Sequence, residues 1–296
     1  MLIMGIMANF VFIPSMQAFL GDRVPYERRG LVLALTEFGW SFAFILGVPA
    51  VGWIISRSGW QAPFIWLAGL GVVSLVVLHW LLPRDQPNTD QTNNLWRNFR
   101  GVFTYGPAVA GLLVALCMAG GNELVNLIFG VWLEDTFQVR IAALAAASAV
   151  IGLSELGGEG LVTAFVDRLG KRRSVGIGLI SNGVVALALL WLGRSLTGAM
   201  IGLFFFYLTF EFTIVSAIPL MTEVFPAARA TYMAMFFAST SLGRSLGSLA
   251  APRLYTLGRS WETMPSLLII VLATIALDLA ALLTLRAVHE YRTKSS

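Results

Sequence analysis

Two carboxylates in one apolar segment have a spacing that suggests chemistry. Glu155 and Glu159 are four residues apart, so on a helix they share one face. Two carboxylates this close together and away from water should not both be ionised, so at least one should hold a proton. A carboxyl group that exchanges a proton inside an apolar segment is what proton coupling requires. The alternative is that Glu159 lies near enough to a loop to be solvated.

A third carboxylate, Glu211, lies in a stretch rich in aromatic residues. Its neighbours are Phe204, Phe205, Phe206, Tyr207, Phe210 and Phe212. This setting suits a lipophilic cation, because the carboxylate would pair with its charge and the rings would make cation–π contacts. In the alternative interpretation the rings face lipid and Glu211 turns inward to a polar neighbour.

Glu37, Glu123 and Arg244 are further ionisable residues inside apolar segments. Glu123 follows a pair of glycines, which can open a helix beside a binding site or can allow close helix packing. A buried arginine demands a carboxylate partner; for Arg244 this is Glu155, Glu123 or a residue outside this sequence. The candidates for substrate binding and proton coupling are Glu37, Asn122, Glu123, Asn126, Glu155, Glu159, Tyr207, Glu211 and Arg244.

The sequence offers little for other chemistries. The single cysteine, Cys117, excludes an intrachain disulfide and a cysteine-based metal site. The two histidines, His79 and His289, are far apart, which argues against a histidine metal site or a histidine-centred triad. No nucleotide-binding loop or nucleophile constellation is present. We therefore expect neither an enzyme nor a bound cofactor or metal.

The elements that position these residues are membrane spans. The chain is 57% hydrophobic and 12% charged, about half the charged fraction of soluble domains, and its mean hydropathy is +0.78. A span needs about 20 mainly apolar residues. The sequence predicts nine, at 2–20, 31–55, 62–82, 105–131, 141–166, 174–193, 197–220, 230–252 and 265–286. A polar loop, 83–104, separates three spans from six and is expected to carry a short interfacial helix at Leu95–Phe103.

The run from Asp167 to Arg173 sets the orientation of the chain. It carries four cations in six residues and must be a loop between two spans. Most of the 20 lysines and arginines fall in loops on its side. By the positive-inside rule this side is cytoplasmic, which also places the C-terminus in the cytoplasm. Met1 would then lie outside.

An internal repeat relates the two parts of the chain. The acid-x-x-Pro-x-x-Arg loop that starts at Asp22 recurs 201 residues later at Glu223. Trp60 and Trp261 also correspond at this shift. The spans within 105–193 have no counterpart, so the repeat predicts about a hundred further residues with three helices before Met1. The loop residues concerned are Asp22, Pro25 and Arg28, and Glu223, Pro226 and Arg229.

These features resemble the major facilitator superfamily, in which two six-helix halves are related by an axis along the membrane normal. Asp167, Arg168, Gly170, Lys171, Arg172 and Arg173 are similar to the family's motif A, G-x-x-x-D-R-x-G-R-R/K. Thr163 stands where that motif begins with glycine. The stretch Gly47–Gly52, with Gly59-Trp60 and Pro63-Phe64, is similar to the twelve-span drug:proton antiporter branch, although Val48 replaces a glycine of the antiporter motif.

The resemblance implies an all-α polytopic helical bundle that comprises helices four to twelve. Residues 1–82 would be the remainder of the N-terminal half, 83–104 the central cytoplasmic loop and 105–296 the C-terminal half. The motif A loop would act as a gate in which Asp167 and Arg168 exchange ion pairs with Glu223 and Arg229. Alternatively, it only anchors the topology. The loop from Asp22 to Arg29 is expected to lack its partner.

The expected function is secondary active transport, as proton-coupled export of a small, fairly apolar molecule by an antiporter. The expected partners are that substrate, protons and the bilayer, but no nucleic acid. We expect the protein to be a monomer and to lie in a bacterial inner membrane. One alternative is an uncoupled or importing carrier of sugars, amino acids or nucleosides. Another is a non-transporting membrane protein or an inactive, truncated remnant.

Overall fold

The computed structural model describes residues 11–82, 95–138, 141–261 and 265–289, and within these ranges all regular structure is helical. The all-α prediction is confirmed. The α-helices are α1 (Ile13–Arg23), α2 (Arg29–Phe42), α3 (Val48–Ser58), α4 (Ala62–Leu81), α5 (Leu95–Thr104), α6 (Gly106–Phe137), α7 (Ile141–Leu169), α8 (Lys171–Leu192), α9 (Leu196–Met221), α10 (Arg229–Arg259) and α11 (Leu268–Leu285). Short 3₁₀ turns at Tyr26–Arg28 and Pro226–Ala228 precede α2 and α10, and a π turn at Ala43–Gly47 precedes α3.

Six of the described helices are long and apolar enough to cross a membrane. They are Ala62–Leu81, Gly106–Phe137, Ala149–Leu169, Lys171–Leu192, Leu196–Met221 and Leu268–Leu285. Each coincides with a predicted span, so six of the nine are confirmed by length and composition.

The other three spans stay predictions. The span 2–20 begins outside the described residues, and 31–55 is divided among α2, the π turn and α3. The span 230–252 lies inside α10, which is long enough but is rich in serine and glycine and contains Arg244.

The chain divides into two compact units, Met1–Phe38 with Leu95–Ser296, and Gly39–Asn94. In the second unit, α3 contacts α4. Of the α4 residues only Pro63 is buried, and the apolar side chains around the rest of this helix are exposed. A helix that is apolar on all sides is typical of a membrane span. The division of the sequence at 82 and 105 remains a prediction; the helix expected at Leu95–Phe103 is confirmed as α5, and 83–94 lie outside the described residues.

In the first unit, α6 packs mainly against α10 and α11, and α9 packs against α7 and α8. Small residues bring α6 and α10 together. A Cβ on Gly120 would lie 3.2 Å from the carbonyl oxygen of Gly243, and one on Gly247 would lie 2.7 Å from the carbonyl oxygen of Gly120. The helix α6 is continuous through this region. The glycines of α6 therefore serve close helix packing, and the expectation that they open the helix is wrong.

Candidate functional site

A network of polar side chains links α6, α9 and α10 in the middle of the first unit. Glu123 accepts a hydrogen bond from Ser248 (2.9 Å) and one from Asn126 (3.2 Å). Its Oε2 also lies 3.5 Å from Nη1 of Arg244. Asn126 in turn accepts a hydrogen bond from the Tyr207 hydroxyl (3.0 Å). The network joins four predicted candidates, and of the two possible partners in this chain Arg244 is paired with Glu123.

Among the described residues, only Glu123 forms an ion pair with the guanidinium of Arg244. Its side chain is 44% exposed, whereas that of Glu123 is 11% exposed. The guanidinium carbon lies 5.7 Å from the centre of the Phe210 ring. Apart from the contact with Glu123, its nitrogens make no hydrogen bond to the residues that the structure describes. A guanidinium in this position can bind an anionic group without breaking all of its protein contacts.

A second group of carboxylates lies within electrostatic range of Glu211 on α9. Glu211 interacts electrostatically with Arg244 and with three carboxylates, Glu37, Glu155 and Glu159. The helix α7 approaches α9 closely here, because a Cβ on Gly158 would lie only 2.7 Å from that of Glu211. Glu155 also interacts with Arg244. Four helices thus direct carboxylates and one guanidinium toward a common region.

These carboxylates differ in burial: Glu159 is buried, whereas Glu37, Glu155 and Glu211 are half-buried. Glu159 is 1% exposed, so the alternative of a solvated Glu159 is wrong. Phe206, Phe210 and Phe212 are buried, whereas Phe205 is 47% exposed. The interpretation that all the aromatic residues near Glu211 face lipid is therefore wrong for these three rings.

The structure adds two residues and leaves one candidate apart. Ser248 was not predicted, although it follows Arg244 by four residues and so shares its helix face. Gln17 was also missed, and it donates a hydrogen bond to Glu37 (3.0 Å). The sequence feature that could have identified it is a polar amide inside an apolar segment. Asn122 is buried, and its Nδ2 has no hydrogen-bond partner in the described part of the chain. It does not join the network of Glu123.

A second polar cluster lies where α1 ends and α10 begins. Glu223 forms ion pairs with Arg29 and with Arg229, the latter at 3.3 Å. Arg229 also pairs with Asp22 and donates a hydrogen bond to the Thr222 carbonyl (2.6 Å). Each repeat thus supplies an acid to an arginine of the other. The expectation that Asp22 lacks a partner is wrong, and the repeat shift singled out Arg28, which is exposed, instead of its neighbour Arg29.

Asp167 does not take part in these ion pairs. Its two carboxylate oxygens accept hydrogen bonds from the backbone N–H groups of Gly30 (3.1 Å) and Leu31 (3.0 Å), at the start of α2. Its nearest cation is Lys171, at 3.8 Å. The carboxylate therefore caps the first turn of α2, where unpaired N–H groups and the helix dipole attract negative charge. The predicted pairing of Asp167 with Arg229 is wrong because the backbone of α2 occupies both oxygens.

The remaining motif A residues lie away from this cluster. Arg168 is exposed and has no ion pair among the residues described, so its predicted exchange with Glu223 is also wrong. Gly170 has a φ of +88°, a backbone conformation that glycine adopts readily, and it ends the turn between α7 and α8. Arg172 donates a hydrogen bond to the carbonyl of Arg286 (2.7 Å), which joins the start of α8 to the end of α11. Pro25 directly precedes the first 3₁₀ turn, and Pro226 is the first residue of the second.

No group of three or more histidine, cysteine, aspartate or glutamate residues in the described ranges has the geometry to hold a metal ion.

Comparisons with known proteins identify the class. The model of the Major Facilitator Superfamily matches residues 1–214 and 111–296. The uncharacterized MFS-type transporter YceJ of Bacillus subtilis is 25% identical over 228 residues, which are 75% of this chain and 57% of that protein. The inner membrane transport protein YdhP of Escherichia coli is 24% identical over 261 residues, 88% of this chain and 64% of that protein. Both relatives are named as transporters rather than as enzymes.

The fold agrees with this assignment. The crystal structure of the human organic anion transporter MFSD10 (TETRAN) aligns with a TM-score of 0.64 at 18% identity, over 94% of this chain and 67% of that one. The chain belongs to the Major Facilitator Superfamily. It spans about three fifths of the length of the two relatives.

Proposed function

We propose that this protein is a secondary active transporter that exports a small, fairly apolar molecule in exchange for protons. The observation that carries the proposal is the intramembrane group of Glu123, Glu155 and Glu211 around Arg244. Ionisable residues inside spans are costly, at about 2.5–3.5 kcal/mol each on insertion scales, and usually mark a substrate or ion pathway. The family membership supports a transport function, and the carboxylates support the choice of the proton as the coupling ion.

Proton exchange would follow from the imbalance of charge in this region. One guanidinium cannot neutralise all the carboxylates on α6, α7 and α9, and an unpaired charge in an apolar interior is costly, so exchange of a proton at one of them would relieve the imbalance. A cationic, lipophilic substrate that binds beside Glu211 would favour loss of a proton from the same group. Release of the substrate to the outside would then be followed by protonation. The buried rings of Phe206 and Phe210 supply the apolar wall.

Access would alternate through the polar cluster at Glu223. Its ion pairs connect the loop before α2 with the loop before α10, and the capping of α2 by Asp167 adds a third connection. We infer that these contacts close the cytoplasmic side, and that they separate when the site opens inward. The proposed location is a bacterial inner membrane, with the protein acting as a monomer.

The test measures export of ethidium, a fluorescent lipophilic cation, from proteoliposomes under an imposed pH gradient. We expect Glu211→Gln and Glu155→Gln to abolish the proton-driven flux, because glutamine keeps the shape but cannot release a proton. Glu134→Gln is the matched control, since Glu134 is exposed at the end of α6. Wild-type flux in both interior variants would refute the site.

A second candidate is an uncoupled or importing carrier of solutes that bear a carboxylate, such as amino acids. The half-exposed guanidinium of Arg244 favours it, because arginine suits carboxylate recognition. A pH jump separates the two: solute movement without any response to pH would favour the uncoupled carrier. Loss of uptake in Arg244→Gln, with unchanged uptake in Glu211→Gln, would favour this candidate over the first.

A further inference from the structure

Three arginines surround an open groove between the start of α8 and the end of α11. The groove has a volume of about 470 Å³ and is lined by Arg172, Arg173, Ile180, Leu282, Leu285 and Arg286. None of the three arginines lies within ion-pair distance of a carboxylate in the part of the chain that the structure describes. The groove therefore combines an apolar floor with unneutralised positive charge at one end.

The apolar floor continues along both helices away from the arginines. On α8, the exposed residues Ile177, Ile180, Val184 and Leu187 follow Arg173 at intervals of three or four, so they share its face. On α11, the exposed residues Leu283, Leu279 and Leu272 precede Arg286 on one face in the same way. Because α8 begins and α11 ends at the groove, the two arginines stand at the same end of two apolar stripes.

The start of α8 adds to the positive charge. No side chain caps this helix; its N-cap is Gly170. The helix dipole favours an anion at this position. Arg172 is fixed by its hydrogen bond to the carbonyl of Arg286, which holds the two walls of the groove together. Arg173 and Arg286 are both exposed, and their guanidinium groups form no hydrogen bond or ion pair with the described residues.

We propose that this groove binds one anionic phospholipid of the bilayer, with its phosphate at Arg173 and Arg286 and its acyl chains along the two stripes. Arginine binds phosphate oxygens through two parallel hydrogen bonds, and basic pockets between spans suit anionic headgroups. A free phosphate would use the arginines but leave the apolar floor uncovered. A zwitterionic lipid would cover the floor, but its ammonium group would offset the attraction of the arginines. The site is separate from the carboxylate network of the proposed transport.

The test is native mass spectrometry of the purified protein in detergent, titrated with phosphatidylglycerol or with phosphatidylethanolamine of the same acyl chains. We expect one phosphatidylglycerol to bind at least tenfold more tightly. Arg173→Gln/Arg286→Gln should weaken its binding by about 10- to 30-fold, since two cations near a membrane surface are removed. Arg23→Gln/Arg100→Gln removes the same charge from exposed positions outside the groove and should change binding less than twofold.

Other arms separate the remaining outcomes. Arg173→Lys/Arg286→Lys keeps the charge and should retain most of the preference for phosphatidylglycerol. Glycerol 3-phosphate, a headgroup without chains, should not displace the lipid at equal concentration; displacement would show a site for a free phosphate and overturn the proposal. Equal affinity for the two lipids, or unchanged binding in Arg173→Gln/Arg286→Gln, would also overturn it.

If that variant does not fold, phosphatidylglycerol with a photoreactive acyl chain should label peptides that contain Ile180 or Leu282 in the wild-type protein, and labelling elsewhere would refute the site.

Discussion

Glu123 is held by three side chains, of which only Arg244 carries a charge. Ser248 and Asn126 can each be lost while the others continue to bind the carboxylate. Loss of Arg244 would instead leave a charge in the interior with two neutral partners. The reverse loss is milder, because the Arg244 side chain is 44% exposed and therefore depends less on a protein partner. The two partners therefore depend on each other unequally.

A double-mutant cycle measures this dependence. We expect Arg244→Gln to lower the free energy of unfolding by about 2 kcal/mol and Glu123→Gln by about 1 kcal/mol, both below the range for a fully buried pair. The double variant should lose about 1 kcal/mol less than the sum of the single changes. Thermal unfolding in detergent provides the measurement. Glu134→Gln with Arg194→Gln is the control cycle, and equally additive behaviour in both cycles would contradict the pairing.

Part of this site could be predicted from the sequence, and the limits have physical causes. A carboxylate partner for Arg244 was predictable because a buried guanidinium needs one. The choice of Glu123 over Glu155 depends on how α6 and α7 are rotated toward α10, which spacing alone does not give. The role of Asp167 was missed because its partners are backbone N–H groups of another helix. Charge patterns show only side chains, so they led to Arg229 instead.

At the scale of elements, α2 begins where a glycine lets the last turn of α7 approach its backbone. A Cβ on Gly30 would lie 2.6 Å from Oδ1 of Asp167, so only glycine leaves room for the cap. The helix later contains Gly39, around which nothing lies within 4 Å of a Cβ. The two glycines of α2 thus have different roles. Gly30 permits a contact between distant parts of the chain, whereas no close contact at Gly39 requires a glycine.

Substitution of these glycines by alanine should have opposite effects. We expect Gly30→Ala to lower the free energy of unfolding by about 2 kcal/mol, from steric strain and a weakened cap. Gly39→Ala should be neutral or stabilise by up to about 1 kcal/mol, because alanine restricts the unfolded chain. The melting temperatures of the two variants in detergent give the comparison. A loss of equal size in both would mean that the cap contributes nothing.

At the scale of the whole molecule, the basic loops of the first unit meet at one end. The contacts of Asp22 with Arg229, of Asp167 with Gly30 and of Arg172 with Arg286 connect the loops before α2, α8 and α10 and the end of α11. The repeat and the distribution of lysine and arginine predicted this grouping, because both follow from the order of loops along the chain. The six long apolar helices were predictable for the same reason. The π turn at Ala43–Gly47 within the span 31–55 could not be predicted, because hydropathy does not reveal it.

The orientation of this end can be tested with the single native cysteine removed by Cys117→Ser. In that background we expect Arg194→Cys to react with a membrane-impermeant maleimide added to whole cells. Arg168→Cys should react only after the cells are opened, because the positive-inside rule places its loop in the cytoplasm. Both positions are exposed, so accessibility within the protein does not differ. The opposite labelling pattern would invert the proposed topology and move the cluster at Glu223 to the outer side.

Three of the four arginines of α10 lie at its two ends and in its middle, at intervals of fifteen residues. Arg229 pairs with Glu223 and Asp22, Arg244 with Glu123, and Arg259 with Asp135 at 2.8 Å. These acids lie on three other segments of the first unit. A shift of α10 along its axis by one turn, about 5.4 Å, would separate Arg229 from Asp22, Arg244 from Glu123 and Arg259 from Asp135 together. Because these pairs would be lost together, they jointly oppose an axial shift of this helix, although no one of them is strong by itself.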